Sequence, residues 1–200
     1  MGRPRDIDGL APDATTLAAA RYLLPLYLDR VYLHAPAVAD PAAARHHHQL
    51  RIAAKRLRYI MENFAFLFSP EFENLIECTR RIQDLLGRVR DCDVFVAFFE
   101  SYLADRRRQL EDELGRALLA GEESPALATL EDVRQAVAPG DTSAEHGAVL
   151  RLIERTRARR WTAFAEFQAF WLELDERGFR REILTAIGAD PDLRLLSAVS

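Results

Sequence analysis

The sequence predicts an all-α protein, an antiparallel helical bundle of about six helices, and three observations carry that reading. Apolar residues recur three and four apart, the spacing of one face of a helix. No alternating apolar and polar run bounded by glycines marks a strand. Prolines and glycines gather at a few points and cut the chain into helix-sized pieces.

Residues 1–12 are polar, contain Pro4 and Pro12, and read as a flexible tail ahead of a domain spanning 13–187. The first helix begins at Asp13 or Thr15, either of which can cap it, and reaches about His34. Pro25 marks a kink or a start-point in it. Leu17, Leu24, Leu28 and Val31 form its buried face. Arg21 projects from the middle of that face and needs an acid or a bound anion as partner.

After a connection from Pro36 to Pro41, the second helix covers about 43–68. Leu50, Leu57, Ile60, Met61, Phe64 and Phe68 share one of its faces. Ser69-Pro70 caps and starts a third helix over 70–86, which turns Leu75, Cys78, Ile82, Leu85 and Leu86 inward. It is expected to stop at Gly87, and Asp91 to cap a fourth helix over 92–119. Arg106-Arg107-Arg108, flanked by Asp105, Glu111 and Asp112, reads there as an ion-paired surface. A loop from Gly121 to Pro125, a short helix over 126–137 and a break at Pro139-Gly140-Asp141 follow. A long helix over 142–174, a short one over 179–187 and a C-terminal tail over 188–200 complete the chain.

Two hundred residues with 49% apolar content suffice for one buried core. No apolar run approaches the roughly 20 residues of a membrane span, and the N-terminus lacks the apolar centre of a signal peptide. Cys78 and Cys92 have no metal-ligand spacing and read as core thiols of a reducing compartment. A cytoplasmic protein without a membrane partner is the expectation. The net charge of −4 excludes a generally basic nucleic-acid binder.

Positive charge is concentrated instead. His48, Arg51, Lys55, Arg58 and Glu62, three and four apart, form a stripe opposite the apolar face of the second helix. Like charges at this spacing cost roughly 0.2–0.5 kcal/mol per pair. A solvated basic face is the ordinary meaning of such a run. Its arginines favour an anion site, since guanidinium offers a rigid fork of donors to phosphate or carboxylate. On the long helix, His146, Arg157 and Arg160 lie on the side of Val149, Ile153, Phe164, Phe167 and Trp171. They either snorkel to water or enter an interior cleft facing the stripe.

The run His48-Gln49-Leu50-Arg51-Ile52-Ala53-Ala54-Lys55-Arg56-Leu57-Arg58-Tyr59 resembles the first signature of the CHAD family, the conserved-histidine α-helical domains. Ile82-Gln83-Asp84-Leu85-Leu86-Gly87-Arg88-Val89-Arg90-Asp91-Cys92-Asp93-Val94 resembles the second. Glu145-His146-Gly147 with the arginines up to Trp161 resembles a weaker third element. The resemblance implies a helical bundle with a basic cleft, and inorganic polyphosphate as ligand. The implied contacts are His48, Arg51, Lys55, Arg56 and Arg58 on the second helix, with Arg51, Lys55 and Arg58 at the centre. Arg21, Arg80, Arg88, Arg90, His146, Arg157 and Arg160 add to them. Polyphosphate granules are the implied place of association. The family domain usually holds two histidine-arginine helices, and one strong copy is present here. Either a shortened domain or a pair of chains completes the cleft, and a weak homodimer driven by long polyphosphate is one expectation.

Other classes weigh less. His46, His47 and His48 point about 100° apart on a helix and cannot chelate one metal ion together. No Glu-x-Glu-x-Lys strand, phosphate-binding glycine loop or serine-histidine pairing appears, so no catalytic residue and no cofactor are expected. RNA or other nucleic acid could use the same cations, but only Tyr59 offers an interleaved aromatic. A helical scaffold would show no dependence on anions.

Overall fold

The computed structural model describes residue 10 and residues 13–120 and 142–193, and these are helical with no strand among them. Helix α1 (Thr16–Tyr32) starts where its cap is expected, the Thr15 side chain accepting from the Ala18 amide at 3.2 Å. Pro25 lies buried inside α1 and neither starts nor ends it. Leu24, Leu28 and Val31 are buried as expected, whereas Leu17 is 36% exposed. The whole first turn, residues 16–18, overhangs the core.

Arg21 also departs from expectation. It is exposed, and its partner is neither acid nor anion: Nε donates to the Ile187 carbonyl at 2.8 Å. That carbonyl belongs to the C-cap residue of the short helix Phe179–Ala186.

Helix α2 (Ala44–Phe64) buries His47, Leu50, Ala54, Leu57 and Met61, a continuous stripe at spacings of three and four. Ile60, Phe64 and Phe68 pack half-buried against the core. A short 3-10 turn, Ala65–Leu67, ends the element a few residues before the predicted boundary.

Helix α3 (Phe72–Ala120) is a single helix of 49 residues, which corrects the expected third and fourth helices. Gly87 does not stop it, and Asp91 lies inside it rather than at a cap. The reason is packing. Ile82, Leu85, Leu86 and Val89 are all buried, so the apolar stripe passes Gly87 without interruption. Continuous burial outweighs the roughly 1 kcal/mol by which glycine disfavours a helix interior. Among the described residues, positive φ occurs only at Gly178 and Gly188. A Cβ on Gly87 would meet nothing within 4 Å. Gly87→Ala is therefore expected to stabilise the protein by about 0.5–1 kcal/mol, read as a higher urea midpoint with an unchanged slope. A loss of stability would show that this glycine has a backbone role.

Helices α4 (Thr142–Arg177) and α5 (Phe179–Ala186) follow, joined through Gly178 at φ +80°. The described elements thus number five α-helices instead of about six, and the helix expected over 126–137 lies outside the described residues. The apolar face expected for α4 is present, with Val149, Ile153, Phe164, Phe167 and Trp171 all buried.

Helix α5 closes in a two-bond cap. The Gly188 amide donates to Thr185 O at 3.0 Å and the Ala189 amide to Leu184 O at 2.9 Å, around Gly188 at φ +68°. A Cβ on Gly188 would stand 2.8 Å from an Arg21 guanidinium nitrogen. Beyond it, Leu193 packs against the core, its carbonyl accepts from Arg180, and Arg181 pairs with Asp192 at 2.8 Å. Residues 188–193 of the expected C-terminal tail thus carry defined contacts, and 194–200 lie outside the described residues.

The described residues fall into two compact units, one within 1–90 and 161–200, the other within 91–160. The first holds the main core, where Leu24, Leu28, Leu50, Leu57, Ile82, Phe167, Phe179 and Ile183 are almost wholly buried. It also holds a buried ion pair, Arg180 to Asp29 at 2.6 Å.

The basic stripe of helix α2

The three consecutive histidines meet three different surroundings, as steps of 100° require. His46 is exposed, its ring centroid 6.1 Å from that of His34. His47 is buried beside Phe164 and Phe167, with Nε2 3.0 Å from the Ala37 carbonyl, so its proton sits on Nε2. His48 lies on the flank, half-buried.

From His48 the stripe runs along α2 through Arg51, Lys55, Arg58 and Glu62. His48 Nδ1 and Arg51 Nε, one turn apart, are buried polar atoms without a hydrogen-bond partner. Lys55 and Arg56 are exposed. Among the described residues, no ion pair joins Arg51, Lys55, Arg56 or Arg90 to an acid. The first turn of α2 carries no acid either, although a helix N-terminus attracts negative charge.

Arg58 differs from its neighbours. Its guanidinium donates to Glu62 at 2.7 Å and to Gln83 at 3.0 Å, tying α2 to α3. Glu62 also accepts from Arg80 at 3.2 Å, and Arg80 pairs with Glu77. Arg88 pairs with Glu166. Of the cations expected in the first unit, Arg21, Arg58, Arg80 and Arg88 thus hold protein partners, while His48, Arg51, Lys55, Arg56 and Arg90 keep donors available.

His146, Arg157 and Arg160 belong to the second unit. His146 and Arg157 are exposed, and Arg157 donates to Glu100 at 2.7 Å. Arg160 is largely buried and pairs with Asp93 at 2.5 Å. A groove of about 460 Å³ brings His146 and Arg157 together with Arg106 and Arg107 over Leu103, Leu150 and Ile153. Arg106 and Arg107 had no place in the expected site. Arg107 and Arg108 do make the expected surface ion pairs, with Glu111 and Asp105. Cys78 and Cys92 are half-buried free thiols. Burial above all, then Asp93 and Asp91, pushes the Cys92 thiol up and keeps it protonated.

At the entry to α2, burial holds the His34 imidazole below its ordinary value of 6.5, and nearby His46 adds to the effect. A depressed folded value means that the unfolded chain binds more protons across the interval, so stability rises with pH. The contribution is complete above the unfolded value and is lost as pH falls through the folded one. Urea midpoints are therefore expected to fall as pH drops through and below 6.5, and the fall to shrink in His34→Asn. Identical pH slopes for the two proteins would assign the effect elsewhere.

One flank of α2 thus gathers His48, Arg51, Lys55 and Arg56, whose cations make no ion pair with an acid among the described residues. Residues 5–100 match the family model of the CHAD domain. That part of the chain, which carries both signatures and the whole of α2, belongs to the CHAD family. The match ends ahead of the arginine-rich stretch at 145–161. No curated protein and no solved structure matches the chain.

Proposed function

We propose that the protein binds inorganic polyphosphate without transforming it, along His48, Arg51, Lys55 and Arg56, with Arg58 at the far end. The observation that carries the reading is the pair of buried, unpartnered atoms His48 Nδ1 and Arg51 Nε. A buried donor left unpaired costs about 1–3 kcal/mol, which a phosphate oxygen would remove. Residues three or four apart on a helix rise about 4.5–6 Å, so successive cations can meet successive stretches of an extended polyanion. The family is one of polyphosphate-binding domains.

Nucleic acid would meet the same cations, but the ring beside them already carries cations of its own helix. Tyr59 carries Arg58 at 4.5 Å and Lys55 at 5.5 Å against its ring. No helix among the described residues is long and apolar enough to cross a membrane. Polyphosphate as ligand fits a cytoplasmic protein that associates with polyphosphate granules.

Titration calorimetry with polyphosphates of defined length tests the proposal. Affinity is expected to fall linearly with the logarithm of salt concentration, because several counterions leave the polymer. An affinity unchanged between low and physiological ionic strength would sink the electrostatic reading, and tighter binding of RNA would replace the ligand.

A further inference from the structure

We propose that a second copy of the chain covers one side of the 91–160 unit, two such units pairing about a two-fold axis that runs along their helices. The described part of this unit consists of residues 91–120 of α3 and 142–160 of α4. The two segments run antiparallel, as the pairs Asp93–Arg160 and Glu100–Arg157 show. An antiparallel pair buries one stripe of each helix, here including Val149 and Ile153. A second apolar stripe needs a further layer, and a second helix pair provides one as a four-helix arrangement.

That second stripe exists. Phe95 is 56% exposed and Phe98 62% exposed, both in ring contact with Phe99, the three forming an aromatic cluster on α3. At 100° per residue, Phe95, Phe98 and Tyr102 share a flank of α3, and Glu145 and Leu152 share one of α4. The Tyr102 hydroxyl donates to Glu145, which places both flanks on one side of the unit, away from the Glu100–Arg157 pair. Leu152 is 43% exposed there. Grouped apolar residues of this size mark an interaction surface more often than scattered ones do.

Charge selects the occupant. Asp91 and Asp105 lie on the α3 side of the stripe, Asp105 already paired with Arg108 of its own helix, and Arg155 and Arg159 lie on the α4 side. No ion pair joins either arginine to an acid among the described residues. A two-fold axis along the helices sets α3 of each copy antiparallel to α4 of the other. Acidic edge then meets basic edge twice, with the phenylalanines between them. The pairing needs no polyphosphate and is independent of the proposed ligand.

Light scattering behind size exclusion, without polyphosphate and from low to high micromolar protein, tests this. The expected mass approaches twice the 22.7 kDa of one chain at the upper end. Phe95→Glu/Phe98→Glu is expected to weaken dimerisation at least tenfold, with helicity retained. Should that variant fail to fold, charge reversal decides. Arg155→Glu/Arg159→Glu and Asp91→Lys/Asp105→Lys are each expected to dimerise poorly alone, and to form a mixed dimer when combined. A monomer at every concentration overturns the proposal, whether the side stays open or is shielded from hydrogen exchange by other parts of the same chain. A dimer indifferent to all these variants overturns it too, because another surface then makes the contact.

Discussion

Polyphosphate affinity is expected to fall at least about 100-fold when Arg51 and Lys55 are replaced together by glutamine, since each charge-assisted contact contributes roughly 1.5–3 kcal/mol. Both side chains are free of acidic partners among the described residues, so their loss breaks no ion pair. Glutamine stays polar and keeps the helix propensity of the position. Circular dichroism and the melting midpoint should therefore stay near wild type while the calorimetric signal disappears. Sequence spacing alone would choose Arg51 and Arg58 for this test. The structure argues against Arg58, whose bonds to Glu62 and Gln83 hold α2 to α3, so its replacement mixes binding with folding. Glu62→Gln supplies the opposite arm. It releases Arg58 and Arg80 from their shared acid and is expected to raise affinity about 2–5-fold, the scale of one partly exposed pair. Wild-type binding by the Arg51/Lys55 variant would show that the stripe is not the site.

Asp29→Ala should be the most damaging single change to stability. Asp29 and Arg180 are almost wholly buried and lie 2.6 Å apart, and Arg180 further bonds the Leu193 carbonyl. Removing the acid leaves a guanidinium in the interior without its counter-charge, which costs about 3–5 kcal/mol. For a chain of this length that corresponds to a melting midpoint lower by about 6–20 °C. Asp29→Leu combined with Arg180→Met removes both charges at once and should recover most of the loss. If the single variant melts like wild type, water reaches the pair and its burial is not what the static picture shows. If the double variant is as unstable as the single one, the bond from Arg180 to Leu193 matters more than the ion pair.

The helical class, the α1 cap and many of the buried apolar residues were legible, because burial imposes a periodicity that a short window reveals. Leu50, Leu57 and Met61 on α2 and Phe164, Phe167 and Trp171 on α4 fall as the 3.6-residue repeat demands. The break assigned to Gly87 was misread because glycine is a local signal, and its weight was decided by distant partners of Leu85, Leu86 and Val89. Within the candidate site, spacing identified which residues share the stripe. It could not tell Arg51 from Arg58, since the difference lies in Gln83, 25 positions away from Arg58. The Asp29–Arg180 pair and the contact of Arg21 with Ile187 were illegible for the same reason, as both join the chain's first helix to its last. One faint signal was present: an aspartate at a core-facing position of α1 needs a cation from somewhere.

The first unit is assembled from two stretches of chain separated by seventy residues, 91–160. A ribosome adds about 5–20 residues per second, so the second stretch starts to appear roughly 4–14 s after the first is complete. Through that interval the nascent α1 and α2 present Leu24, Leu28, Leu50 and Leu57 without Phe167, Phe179 or Ile183, which later complete their core. The Arg21 clasp on Ile187 and the Asp29–Arg180 lock close only once residues 180–187 have been made. Completion of this core thus waits on the second stretch, and until it arrives the first presents apolar helix faces that nothing yet covers.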